Sequence, residues 1–90
     1  MTTPLRKLRL ACRLDPEPVQ GWILAHCEAL DLVSQGRTPE QARSLLQEEA
    51  RLYLGWAKEL GILAPLLERL AALPAGGEAA FIDIDMTKLN

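Results

Sequence analysis

The sequence has no long apolar run. No stretch of its 90 residues reaches the roughly 18 consecutive apolar positions that a membrane-spanning helix needs. The N-terminal residues also lack the apolar core of a secretory signal. We therefore expect a cytoplasmic protein that makes no contact with a membrane.

Cysteine is scarce and lacks the spacing of a metal site. Cys12 and Cys27 do not form a CxxC pair, and His26 is the only histidine. The sequence therefore argues against structural zinc. We expect two reduced thiols packed in the interior and no bound cofactor.

Aromatic residues are also few. They make up 4% of the chain, whereas 49% of all residues are hydrophobic, so the core must consist mainly of Leu, Ile, Val and Ala. A chain of this length forms one domain and buries only about 60–65% of the surface of its unfolded state. We expect a single domain over residues 1–90 that gains stability as a homodimer or higher homo-oligomer.

An excess of basic charge is absent as well. The formal net charge is -2 and the pI is near 5.3, whereas non-specific binding to nucleic acid needs clustered Lys and Arg. Direct DNA binding is therefore not expected. Four basic residues near the N-terminus could contact RNA, although we favour solvent or an acidic strand as their environment: Arg6, Lys7, Arg9 and Arg13.

What the sequence does contain is alternation of apolar and polar residues. Residues 8–14 place three leucines and Cys12 on one face, which predicts a half-buried strand. Residues 22–28 predict a second strand and residues 32–35 a third. Both faces of the second strand are partly apolar, so the register between the first two strands stays open.

A turn and a long helix follow the third strand. Gly36 can supply a positive φ, Thr38 can cap a helix, and Pro39 suits the first helical position. Gln41 completes a Thr-x-x-Gln capping box. These residues predict a helix over residues 39–60.

The helix has an apolar stripe that covers more than half of its circumference. We expect most of the stripe to pack on the sheet and the part around Leu52 and Trp56 to bury against another subunit. Glu49 lies near the centre of the stripe, so it should have a partner, lie at the sheet edge or face a second subunit. The stripe consists of Ala42, Leu45, Leu46, Ala50, Leu52, Tyr53, Trp56, Ala57 and Leu60.

The C-terminal third predicts two further elements. Residues 65–73 begin with Pro and repeat leucine at helical spacing, which indicates a short second helix. Residues 74–77 read as a flexible joint, and residues 80–86 alternate as a fourth strand. The fold class is therefore α+β, in the order β-β-β-α-(short α)-β.

Three segments resemble the HicB family of toxin–antitoxin antitoxins. They are WILAHCEAL at residues 22–30, VSQGRTPEQA at residues 33–42 and LYL at residues 52–54. The resemblance implies a partial ribonuclease H-like fold with sheet order 3-2-1-4 and the long helix packed on one face. It also implies a last strand parallel to the first, which would bring acidic residues of the last strand (Asp83 and Asp85) close to Lys7, Arg9 and Arg13.

The resemblance carries functional expectations. It implies a HicB-like, antitoxin-type module that binds protein, and either neutralises a small toxin RNase or is an orphan relative of such antitoxins. We expect no catalytic activity and no C-terminal module for operator DNA. Residues that could meet a partner are Trp22, His26, Leu52, Trp56 and Phe81.

A metal-dependent hydrolase or nuclease of ribonuclease H-like fold is the alternative. Its metal would need His26, Glu28, Asp83 and Asp85 to converge, since hard divalent ions prefer carboxylates and His can add a nitrogen. The two aspartates also alternate with apolar residues, as on an ordinary solvated strand, and we favour that interpretation. No metal or catalytic residue is therefore assigned.

Overall fold

The chain folds into a sheet of four strands with helices on one side. A computed structural model describes residues 6–18, 20–71 and 80–89, and its α+β fold is the predicted one. Residues 72–77, which hold the end of the predicted second helix and the predicted joint, lie outside the described residues. The elements are β1 (Lys7–Pro16), β2 (Ile23–Cys27), β3 (Leu32–Gly36), α1 (Pro39–Glu59), α2 (Leu63–Ala71), β4 (Ala80–Asp85) and a short 3-10 helix (Met86–Lys88).

The strand order is β3-β2-β1-β4, which confirms the predicted order. The predicted direction of the last strand is wrong, because β4 is antiparallel to β1. A single crossover helix would return the chain in the direction that gives a parallel strand. Here α2 follows α1, and the chain enters β4 from the opposite end.

β1 pairs with β4 along its N-terminal part and with β2 along its C-terminal part. Its N-terminal part pairs with β4, so that Arg9 lies opposite Asp83 and Lys7 opposite Asp85. The predicted proximity of these charges is therefore found, although the strand direction differs. Arg13 lies beyond this segment and faces a residue of β2 instead.

The pairing of β1 with β2 settles the register that the sequence left open. Arg13 lies opposite His26 and Leu14 opposite Ala25. Ala25 and Cys27 consequently point to the helix side and are fully buried. His26 points to the other side of the sheet, which no described helix covers and which we call the open face.

The start of α1 is held by the predicted cap. The Oγ1 of Thr38 accepts a hydrogen bond from the backbone N–H of Gln41 at 3.1 Å. The Gln41 side chain accepts one from the N–H of Arg37 at 2.6 Å, one residue before the position of an ordinary capping box. Gly36 has no positive φ, contrary to expectation. It is needed for a close approach, because a Cβ there would lie 2.6 Å from the backbone nitrogen of Ala42.

The end of α1 is a Schellman motif. Gly61 has a φ of 75°, which glycine adopts without strain. Its N–H donates to the carbonyl of Lys58, and the N–H of Ile62 donates to that of Ala57. This pattern satisfies the last carbonyls of the helix, and it confirms the prediction of Gly61 as the helix cap.

Only part of the predicted helical stripe is buried. Ala42, Leu46, Ala50, Leu54 and Ala57 are fully buried against the sheet, and Leu54 had been left out of the predicted stripe. Four members of that stripe form a separate exposed row, which we call the helix flank: Leu45, Leu52, Trp56 and Leu60. The helix is therefore rotated relative to the predicted orientation. No helix in the described ranges is both long and apolar enough to cross a bilayer.

Candidate functional site

Two arginines of the open face form ion pairs with acidic residues. Arg9 Nε lies 2.8 Å from Asp83 Oδ1. Arg13 contacts two carboxylates, with 2.7 Å to Asp15 and 2.6 Å to Glu28. All of these side chains are about half exposed or more. The expected pairing with the acidic last strand is thus found for Arg9, whereas the acidic partners of Arg13 belong to β1 and to the turn after β2.

The pairing shifts the pKa values of the groups involved. The hydrogen bond and the charge of Asp83 raise the pKa of Arg9. The reciprocal hydrogen bond lowers the pKa of Asp83, with smaller contributions from nearby positive charges. Both groups are therefore charged at neutral pH, as an ordinary surface ion pair requires.

The four residues of the alternative metal site do not converge. His26 and Glu28 lie beside Arg13, whose guanidinium can only donate, so His26 Nδ1 is the acceptor at 3.1 Å. Asp83 binds Arg9, and Asp85 accepts hydrogen bonds from the N–H and Oγ1 of Thr87. Among the described residues, no three His, Cys, Asp or Glu side chains are close enough to hold a metal ion.

Both cysteines are in the interior. Cys12 and Cys27 are buried and are not joined in a disulfide, which agrees with the predicted packed thiols. Burial raises the pKa of the Cys27 thiol. A buried thiol of raised pKa is a poor nucleophile, so the geometry gives Cys27 a packing role.

The five predicted interface residues lie on two different surfaces, the open face of the sheet and the helix flank. Trp22, His26 and Phe81 belong to the open face. Two of them carry an arginine over the ring, with 3.7 Å from Arg37 to the Trp22 ring and 5.5 Å from Arg9 to the Phe81 ring. Such contacts hold an aromatic side chain in place while it stays accessible. The other two predicted residues lie in the helix flank.

The helix flank is an exposed apolar row. Leu52 and Trp56 are 54% and 53% exposed, and Leu60 is 55% exposed. Tyr53 packs against Trp56 with ring centroids 6.0 Å apart. An exposed group of large apolar residues is a recognised mark of a protein-binding surface.

The outer edge of β3 forms a groove with α1. Leu24, Val33, Ser34, Gln35, Leu45 and Glu49 line it, and its volume is about 330 Å³. Glu49 therefore lies at the sheet edge, which is one of the three predicted alternatives. It is exposed, and no ion pair joins it to another of the described residues.

Ser34 is the residue of this groove that sequence reasoning missed. Only 6% of it is exposed, and its Oγ has no hydrogen-bond partner among the described residues. Buried polar groups are nearly always paired. Its position in the sequence could have indicated that it is buried. Ser34 lies on the same side of β3 as Leu32 and Gly36, and this side faces the helix.

The edge of β4 is covered where the edge of β3 is open. Gln47 of α1 accepts a hydrogen bond from the N–H of Asp83 at 3.0 Å. Arg51 of the same helix reaches the carbonyl of Lys88 at 3.4 Å. The polar side of α1 thus lies along β4, and its apolar flank lies on the side of β3.

Three surfaces of the described structure are candidates for binding a partner. They comprise the open face, the helix flank and the β3 edge. Comparison with protein-family models, with curated proteins and with solved structures finds no match for this chain.

Proposed function

We propose that this protein is a HicB-like, antitoxin-type module that binds protein, acts as a homo-oligomer and neutralises a small toxin RNase. The proposal rests on one observation: large apolar side chains are exposed both on the sheet and on the helix of a small chain. The helix flank supplies one such surface, and the 38%-exposed Phe81 with the partly buried Trp22 supplies the other. A protein of this size rarely exposes two apolar surfaces without partners for them.

The open face is the surface that suits a toxin. Its aromatic residues Trp22 and Phe81 are each held by an arginine, and aromatic and arginine side chains dominate the binding energy of protein interfaces. An RNase needs basic residues to bind its substrate. The net charge of -2 on this chain favours association with such a partner.

The test is a co-expression experiment with the neighbouring reading frame. We expect that frame to encode a short basic protein that arrests growth when expressed alone, and we expect co-expression of this chain to relieve the arrest. Phe81→Asp should abolish relief, whereas Leu60→Asp on the helix flank should preserve it. A purified pair that forms no complex at micromolar concentration, with RNase activity unchanged, would contradict the proposal.

A further inference from the structure

We propose that two copies of this chain pair through their β3 strands, antiparallel about a two-fold axis at Ser34, so that both sheets become one. This inference rests on the homo-oligomer of the proposed function and names its interface. The occupant of the β3 groove is thus a second copy. Three independent features of the edge support it: its openness, its charges and the hydroxyl of Ser34.

The first feature is the open edge. Among the described residues, β3 has a strand neighbour on one side only. Leu45 and Glu49 of α1 border its other side, whereas Gln47 of α1 already binds the backbone N–H of Asp83 in β4. An unprotected edge presents backbone N–H and C=O groups that pair readily with another strand. β3 carries no proline and no charged residue between Leu32 and Gly36, so nothing in it opposes such pairing.

The second feature is a self-complementary charge pattern. Asp31 precedes β3 and Arg37 follows it, each three residues from Ser34. Antiparallel pairing about Ser34 therefore brings Asp31, in the turn before β3, towards Arg37 of the other copy, which directly follows its β3. Neither residue forms an ion pair with a described side chain in the single chain, and the Arg37 guanidinium lies over the Trp22 ring. Opposite charges at the two ends of the paired strands attract each other, and the symmetry produces this pair twice.

The same register suits the uncharged residues. Leu32 lies opposite Gly36 of the second copy, so a large side chain meets the smallest one. Val33 lies opposite Gln35, and both belong to the open-face side of the strand. Moving the axis by one residue in either direction would separate Asp31 from Arg37, so the charges select the register centred on Ser34.

The third feature is the unpartnered hydroxyl. Ser34 is almost fully buried at the edge, and its Oγ has no hydrogen-bond partner in the described part of the chain. In the paired strands the two Ser34 residues lie directly opposite, with Cβ atoms about 4.5–5.5 Å apart. Each hydroxyl can then donate to or accept from the other. The second copy thus satisfies a group that the single chain leaves unsatisfied.

The helix flanks fall on the same side of the joined sheet. Leu45 lines the groove beside β3, so pairing brings the apolar flanks of the two copies towards each other over the junction. Glu49 opposes this approach, because it adds the same charge from each copy. Glu49→Gln is therefore expected to tighten the dimer and lower its Kd several-fold. If the groove instead bound a basic partner, the same substitution would weaken binding.

The decisive experiment combines sedimentation with cysteine cross-linking. We expect the wild-type protein to sediment as a dimer at about 10 µM, and Asp31→Asn to weaken the dimer roughly tenfold through loss of two ion pairs. Asparagine tolerates the positive φ of Asp31, so this variant should fold. In mild oxidant, Ser34→Cys should form a covalent dimer, since directly opposed strand residues lie within disulfide distance.

The matched control is Gln35→Cys. Its thiol would lie opposite Val33 of the second copy, and not opposite the other introduced thiol, so it should not cross-link. A monomer at this concentration would overturn the proposal. A dimer in which Gln35→Cys cross-links and Ser34→Cys does not would also overturn it. None of these measurements involves an RNase, so the interface and the antitoxin role can fail separately.

Discussion

At the scale of single residues, Gly36 is where strand and helix meet most closely. The local sequence indicates a turn there, and the expected reason for glycine is backbone freedom. The structure gives a different reason, because the backbone nitrogen of Ala42 occupies the space of a side chain. The position is therefore intolerant of any side chain, although its φ is ordinary.

We predict that Gly36→Ala destabilises the protein by about 2–4 kcal/mol, since the contact involves backbone that cannot move alone. Urea unfolding followed by circular dichroism would measure this. Gly21→Ala is the matched control: Gly21 has a φ of 73° but open space around it, so only the strain of about 1 kcal/mol is expected. Equal losses for the two variants would contradict the steric explanation.

Asp83 provides a second prediction at this scale. Its pKa is lowered from 3.8 mainly by the hydrogen bond from Arg9. A lowered folded-state pKa means that this contribution to stability is present above the unfolded-state pKa and is lost as the pH falls through the folded-state pKa. We expect an NMR titration of the carboxyl to give a midpoint below 3.8.

Arg9→Gln should return the Asp83 midpoint most of the way to its ordinary value. Lys7→Gln is the control, because Lys7 lowers the pKa of Asp83 through charge alone and less strongly than Arg9. If both substitutions moved the midpoint equally, long-range charge rather than the ion pair would be responsible.

At the scale of elements, α1 divides its apolar residues between two surfaces. One row is buried against the sheet, and the helix flank is exposed beside the β3 edge. Periodicity reports which residues share a side of a helix. It does not report how much of a wide stripe the sheet will cover, because the sheet's width and the helix's position decide that.

Because the two rows differ in burial, the same leucine-to-alanine substitution should change the free energy of unfolding by different amounts in each row. Leu46→Ala should lower the free energy of unfolding by about 2–4 kcal/mol, since it removes a fully buried side chain. Leu52→Ala removes the same atoms from an exposed position and should cost less than about 1 kcal/mol in the monomer. Chemical denaturation at low protein concentration would compare them, and similar losses would contradict the observed helix orientation.

At the scale of the whole molecule, the fold is thin and one-sided. It measures 49 × 27 × 18 Å, which corresponds to one sheet and one helical layer. A small chain of this shape buries a limited core. A second copy on the β3 edge would extend the sheet and cover apolar residues of the helix flank.

The proposed dimer predicts that thermal stability depends on concentration. Raising the protein from about 1 µM to about 100 µM should raise the unfolding midpoint by several degrees, because mass action favours the associated folded state. Differential scanning calorimetry would measure the change. Asp31→Asn should reduce it, and a wild-type midpoint independent of concentration would argue that the single chain is stable by itself.

Much of the fold could be predicted from local patterns. Alternation located β1, β2, β3 and β4, the cap at Thr38 located the start of α1, and the HicB resemblance supplied the strand order. These features depend on neighbours in sequence or on a family pattern, so they can be recognised without knowledge of the packing. The antitoxin role stays a prediction.

The sequence by itself determined the elements, their order in the chain and the wide apolar stripe of α1. Only the tertiary structure decided that β4 is antiparallel and that Arg9 and Arg13 bind separate acidic partners. It also placed Ser34 in a buried position at the β3 edge, where no described residue hydrogen-bonds its hydroxyl. The physical reason is that these features depend on contacts between residues far apart in the chain. Alternation along one strand cannot specify its neighbour, its direction or the side chain that will lie opposite.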